Sequence, residues 1–268
     1  MRVTDIYLAA YGPFHSPTPR RLNVNDERVL FLGISGSGKS TIFKAADLLW
    51  AQVRRYLNRQ PHLPMGQGQF AMAISHLTFG QGLLVWGDDP FALKAAENHP
   101  DASLLRVTPE GFDGQWPQGD YPNLVAADAP WETRLDWASL LPGCPEAVAA
   151  ANQLLVGKQL EAVDGQLLVR LNGGATHAPE YLSMGEKRIG QLCALAGAVL
   201  KPGGLLLLDE PDVHLHPSQS LGLMTTLENL VLDKEGQMWV ISHKEALWQR
   251  YEDVGEVVIL SREEAPYA

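Results

Sequence analysis

The sequence predicts an α/β fold built on a mainly parallel core sheet, and three observations predict it. The runs Val29–Leu32, Gly203–Leu208, Met238–Ser242 and Val257–Leu260 are almost wholly apolar, as strands buried on both faces must be. Apolar residues at helical spacing lie between these runs. A glycine-rich run, Gly33–Ser40, joins the first apolar run to a helical pattern beginning at Thr41. Strands alternating with helices are the signature of such a sheet.

The elements follow in order. Val3, Ile6 and Leu8 give an N-terminal strand, and Tyr11-Gly12-Pro13-Phe14 with Pro17 and Pro19 interrupts it. Ile42, Ala45, Ala46, Leu49, Val53 and Leu57 recur at helical spacing, and Pro61 should end that helix. Residues 61–69 read as a loop. Residues 70–79 and 83–87 read as a strand pair around Gly80-Gln81-Gly82. The stretch 88–130, rich in Pro, Gly and Asp, reads as short helices and connections. Trp131 to Leu160 reads as helix, interrupted at Pro142 and Pro145. Gln166–Leu171 alternates like a strand, and Ser183–Leu200 reads as a helix opened by a capping serine. A further helix falls within His214–Val231.

Composition narrows the function classes. The chain has 268 residues and a net charge of −10, so any nucleic-acid contact must come from a local patch. Its two cysteines, Cys144 and Cys193, have neither metal spacing nor a disulfide framework, which fits a reducing compartment. No signal peptide and no run of about twenty apolar residues is found, so a cytoplasmic chain without membrane insertion is expected.

Gly33-Ile34-Ser35-Gly36-Ser37-Gly38-Lys39-Ser40 fits GxxxxGK[ST] at every fixed position. Strand, glycine loop and helix are the context the pattern requires. The glycines let backbone N–H groups close around phosphate oxygens, and the helix N-terminus at Thr41 adds partial positive charge. Lys39 reaches the β/γ-phosphates and the Ser40 hydroxyl suits Mg2+. The alternative is a turn that only caps a helix.

Leu205–Leu208 delivers Asp209 and Glu210 to the carboxyl edge of a central strand, where ligands bind in open α/β sheets. Asp209 is placed to hold Mg2+, and Glu210 to polarise an attacking water. In Leu182-Ser183-Met184-Gly185-Glu186-Lys187-Arg188 a Ser and a Gly open a helix, and its N-terminus is a second candidate anion site. The first loop already serves the γ-phosphate, so this helix end would serve a nucleotide held by another copy. An ordinary capped helix is the alternative. Val240-Ile241-Ser242-His243 places an imidazole at the same carboxyl edge, within reach of phosphate or water.

In this order, Gly33–Ser40, Leu182–Glu186, Leu205–Glu210 and His243 resemble the ABC-type ATPases. Tyr11–Phe14 looks like the N-terminal "FGPF" element of the SMC- and RecF-like branch, and Ser183–Arg188 like its "SxGEKR" signature. Glu210–Pro217 resembles the "EPxxxLHP" element of AAA ATPases grouped with the OLD family. The resemblance implies a P-loop NTPase head with an antiparallel β subdomain. It implies a first lobe over about 1–128 and 202–268, and a helical lobe over about 129–201 that carries the signature. It implies that Gly33, Ser35, Gly36, Ser37, Gly38, Lys39, Ser40 and Thr41 hold ATP, with Ser40 and Asp209 on Mg2+. Glu210 becomes the catalytic base, His243 the γ-phosphate switch, and Ser183, Gly185 and Glu186 the contact to ATP on the opposite subunit of a homodimer.

The sequence departs from that pattern in places. No Gln-loop is identifiable among Gln67, Gln69, Gln115 and Gln118, and Met184 stands where small residues are commoner. There is neither a long coiled coil nor a fused nuclease, so a separate effector protein is expected. Arg54, Arg55 and Arg59 form a local basic patch that suits DNA or RNA, or else a solvated helix end. His214-x-His216 reads as a turn, with metal binding as the alternative, and Trp116, Trp131 and Trp137 as core. The expected function is an ATP-hydrolysing dimeric switch driving a partner in DNA repair or antiphage defence. The alternatives are a transporter's nucleotide-binding subunit and an ATP-dependent sensor or scaffold with little turnover.

Overall fold

The computed structural model describes residues 2–57, 69–76, 80–86, 104–107, 112–115, 136–213 and 215–261. In chain order the elements begin β1 (Arg2–Ala9), β2 (Arg20–Asn23), β3 (Arg28–Gly33), α1 (Lys39–Leu57), β4 (Gln69–His76), β5 (Gly80–Trp86), β6 (Leu104–Val107) and β7 (Phe112–Gln115). There follow α2 (Trp137–Leu140), α3 (Pro145–Asn152), β8 (Lys158–Val163), β9 (Gln166–Leu171), β10 (Thr176–His177) and α4 (Met184–Ala194). The last are β11 (Leu205–Asp209), α5 (Pro217–Leu232), β12 (Gln237–Ile241), α6 (Glu245–Val254) and β13 (Glu256–Leu260).

The core is a six-stranded sheet of order β13-β3-β12-β11-β6-β7. Its first five strands are parallel and β7 pairs antiparallel with β6. The apolar runs become β3, β11, β12 and β13, as expected. Alternation then sorts their side chains between two cores. Val29, Phe31, Leu205, Leu207, Trp239 and Ile241 share one core with Ile42, Phe43 and Leu49 of α1 and with the antiparallel sheet β2-β1-β4-β5. Phe31 and Phe43 meet edge to face with ring centroids 5.4 Å apart. Leu30, Leu206, Leu208, Met238 and Val240 face the other way, onto Ile189 and Leu192 of α4 and Leu223 and Leu227 of α5.

Gln237 joins the two sheets. Its Oε1 accepts from Val3 N at 2.9 Å, and its Nε2 donates to Val3 O, Val24 O and Asp26 O at 3.0, 2.6 and 2.8 Å.

Four expectations are corrected. Residues 158–160 are not helical but begin β8, which pairs with β9. The turn Asp164-Gly165 has φ of +51° and +75°, the geometry of a two-residue hairpin. Asn152, the last residue of α3, fixes this switch: its side chain clamps both Leu160 N and Leu160 O. Gly80–Gly82 lies inside β5, not in a turn, although β4 and β5 do form the expected pair. The stretch 88–130 contributes β6 and β7 to the core sheet. The expected Ser183–Leu200 helix runs to Val199, but only Met184–Ala194 is α-helix and Leu195–Val199 is a π-helix.

Candidate functional site

The glycine loop leaves β3 at its carboxyl end and enters α1 at Lys39. Gly33 and Gly38 are required by both backbone and space. Gly33 has φ +152°, and a β-carbon there would lie 2.4 Å from Leu260 O. Gly38 has φ +97°, and its β-carbon would lie 2.6 Å from Cζ of Phe14 and 2.9 Å from Cγ of Pro13. The Tyr11–Phe14 turn, closed by Phe14 N donating to Tyr11 O at 3.0 Å, is therefore wedged against the loop. The sequence marked this turn but not its task.

Lys39 Nζ donates to Gly33 O at 2.7 Å and Ile34 O at 3.1 Å. Burial pushes the Lys39 ammonium below its ordinary range, while Asp209 and Glu210 act to raise it. Lysine and the two carboxylates thus sense each other across the sheet edge. Ser35, Gly36 and Ser40 are exposed, Thr41 is half-buried, and Ser37 is buried.

Asp209 closes β11 in register with Ile241 and is buried. Glu210 follows with φ +48° and donates its N–H to Ile241 O at 2.9 Å. This left-handed turn is uncommon for a residue with a β-carbon. It aims the carboxylate across to the end of β12, where His243 Nε2 lies 3.3 Å from Glu210 Oε1. Gly33–Ser40, Asp209, Glu210 and His243 are thus all carried at the carboxyl ends of adjacent strands β3, β12 and β11.

These residues fit ATP and Mg2+ by donor chemistry. The loop offers backbone N–H groups at a helix start and a lysine, and Ser40 with Asp209 offers the oxygen donors a hard cation takes. Among the described residues, no group of three or more His, Cys, Asp or Glu is arranged to hold a metal without such help.

Ser183 caps α4. Its Oγ accepts from Glu186 N at 3.4 Å, and Glu186 Oε2 accepts from Ser183 N at 2.8 Å. Lys158 Nζ also meets Glu186 Oε2 at 2.8 Å. Burial works to raise the Glu186 carboxyl, but Lys158 and the Ser183 hydrogen bonds outweigh it and hold the group below its ordinary range. Ser183 and Met184 are exposed and Gly185 is half-buried. The buried residues of α4 join the core on the sheet face opposite α1.

Residues 155–235 match the family model described as "AAA domain, putative AbiEii toxin, Type IV TA system". That span holds the Ser183 helix and the Asp209-Glu210 strand. The whole chain superimposes on an SMC head domain from Thermotoga maritima with a TM-score of 0.55 and 17% identity, over 97% of this chain and 94% of that one. The chain therefore has the fold of an SMC head domain. An SmcHead bound to the C-winged helix domain of ScpA gives the same TM-score at 14% identity, covering 93% and 92% of the two chains. A "Putative ABC transporter ATP-binding protein" from Lactiplantibacillus plantarum is 25% identical over 244 residues, or 87% of this chain. This chain spans 34% of that relative's length.

Some expectations lie outside the described residues: Arg59, the side chains of Arg54 and Arg55, His214, Gln67, Gln118, Trp116 and Trp131. Trp137 is buried, as expected, against Gly190 of α4. Among the described residues, no helix is long and apolar enough to cross a membrane. Sequence reasoning missed Lys158 as the partner of Glu186, because it sits in the stretch read as helix. It also missed Ser220 and Lys244, which meet Asp212 of the Glu210–Pro217 element beside the Glu210–His243 pair.

Proposed function

We propose that this chain binds and hydrolyses ATP as a dimeric switch that drives a separate partner protein in nucleic-acid transactions such as DNA repair or antiphage defence. The observation that carries the reading is the Glu210–His243 pair, 3.3 Å apart beside a phosphate loop of full pattern. Glu210 accepts a proton from the attacking water, and His243 donates to the γ-phosphate or orients that water. Lys39, the loop N–H groups and Thr41 at the start of α1 orient the triphosphate. Mg2+, held by Ser40 and Asp209, supplies charge neutralisation to the phosphates when bound.

The dimer is supported by the split of the site. Ser183, Gly185 and Glu186 start a helix on the sheet face opposite α1, so a second copy must present them to the nucleotide. The defence setting is supported by the description of the matching family model, which names the AbiEii toxin.

The test is hydrolysis and mass by light scattering with ATP present. Glu210→Gln is expected to lose turnover, retain ATP and accumulate as a dimer. Ser183→Arg is expected to bind ATP yet stay monomeric. Normal hydrolysis by Glu210→Gln sinks the assignment of the base, and normal hydrolysis by Ser183→Arg sinks the shared site.

A second reading is favoured by one observation, the transporter description of the Lactiplantibacillus relative. There the chain is the ATP-binding subunit of a permease carried on another polypeptide. Copurification with an integral membrane protein, rather than with a nuclease or toxin, decides for it.

A further inference from the structure

Behind the Glu210–His243 pair lies a second, more buried contact between the same two turns. Asp212 is two residues beyond Glu210, and its side chain is only 6% exposed. Lys244 follows His243 directly, and its Nζ lies 2.7 Å from Asp212 Oδ2 and donates to Ser220 Oγ at 2.6 Å. Ser220 belongs to the first turn of α5 and is itself buried. The Lys244 backbone N–H donates to Ser242 Oγ at 3.2 Å, which closes the turn that carries His243.

We infer that Lys244, through Asp212 and Ser220, is a positioning residue that sets the separation between Glu210 and His243. The inference deepens the reading of Glu210 as the catalytic base and rests on it.

The physical argument compares the two contacts. Glu210 and His243 are 39% and 56% exposed, and an exposed pair of this kind holds little by itself. Moreover Glu210 sits in a left-handed turn, which relaxes unless its surroundings over-determine it. The Asp212–Lys244 contact has side chains 6% and 35% exposed, so its attraction is screened less. It spans the gap from the turn after β11 to the turn after β12, which are the two turns that carry the reacting pair. Ser220 adds a third point, tying both turns to the start of α5. Removing the Lys244 charge leaves Asp212 buried without its cation, and the Glu210 turn moves to let water reach it.

The experiment uses the full chain and steady-state ATP hydrolysis, with binding of a fluorescent ATP analogue measured in parallel. Lys244→Met is expected to lower kcat by about tenfold to a hundredfold, with KM and analogue affinity held within about twofold. Lys244→Arg, which can still reach Asp212, is expected to restore most of kcat. Asp212→Asn combined with Lys244→Met is expected to cost less than the product of the two single losses. Ser220→Ala tests the same device with little risk to folding, and a several-fold fall in kcat is expected. Unchanged kcat in Lys244→Met or in Ser220→Ala overturns the inference, as does an equal loss of kcat and analogue binding. Glu210→Gln is the control. If it lowers turnover while Lys244→Met does not, only the positioning role falls. If it leaves turnover intact, the reading of the base falls as well.

Discussion

Gly38 and Phe14 are packed so closely that a β-carbon on the glycine would lie 2.6 Å from the ring's Cζ. Phe14 is 1% exposed, so the ring has nowhere to retreat. The Tyr11–Phe14 turn therefore sets the floor of the phosphate loop. Gly38→Ala is expected to cost at least about 2 kcal/mol, from the positive φ and the overlap together. Phe14→Ala leaves a cavity beside the loop, at about 3–5 kcal/mol. Urea unfolding of both variants, with nucleotide affinity, checks this. A Gly38→Ala chain of full stability and affinity contradicts the wedge.

Gln237 supplies a second prediction. It is 1% exposed and makes four hydrogen bonds to backbone groups of β1 and the segment before β3. Gln237→Leu fills the space but strands those groups, which costs about 2–4 kcal/mol. Equilibrium unfolding measures the loss. Amide exchange at Val3 should quicken more than exchange inside α5. Equal exchange at both sites argues against a local latch.

Glu186 gives a dependence on pH. Its carboxyl is held below the ordinary range in the folded chain, so the unfolded chain binds the proton more readily. Its stabilisation is complete above the ordinary carboxylate pKa of about 4.3 and is lost as pH falls through the lowered folded value. Glu186→Gln should therefore lower stability by a constant amount at neutral and alkaline pH and flatten the acid side of the stability curve. Lys158→Met should raise the Glu186 pKa, read by carboxyl titration in NMR. An unchanged acid limb in Glu186→Gln removes the capping box from the account.

The two cysteines make a prediction about reactivity. Burial pushes the Cys193 thiol up to about 12, and burial with a hydrogen bond to Glu146 pushes Cys144 up to about 11. Neither is a thiolate near neutral pH, and both lie in the core between the sheet and α4 and α5. Alkylation at pH 8 is expected only at the rate of unfolding, and urea should accelerate it. Rapid labelling of the folded chain refutes the burial of these side chains.

What the sequence made legible has a physical pattern. Buried parallel strands need unbroken apolar runs, and β3, β11, β12 and β13 were read from them directly. Phosphate loops need glycines at fixed places, so Gly33–Ser40 was legible, and the carboxylates and His243 followed from their positions at strand ends. Short strands on a sheet margin need little apolar length. β6 and β7 have four residues each and no periodicity to reveal them. β8 was hidden by the alanine-rich helix before it, although Asp164-Gly165 between alternating residues is a hairpin signal. The Asp212–Lys244 contact was not legible, since it joins residues whose neighbourhood exists only after β11 and β12 pair.

One consequence follows from the posture of Lys39. Two of the three N–H donors of its ammonium go to carbonyls of its own loop, Gly33 O and Ile34 O. On the proposed function, a triphosphate meets a cation that already has internal acceptors. It must outbid internal acceptors, so binding is an exchange reaction whose net affinity is the difference between two sets of contacts. Weak anions lose that competition, and the loop becomes selective for a ligand whose several phosphate oxygens can replace both carbonyls at once.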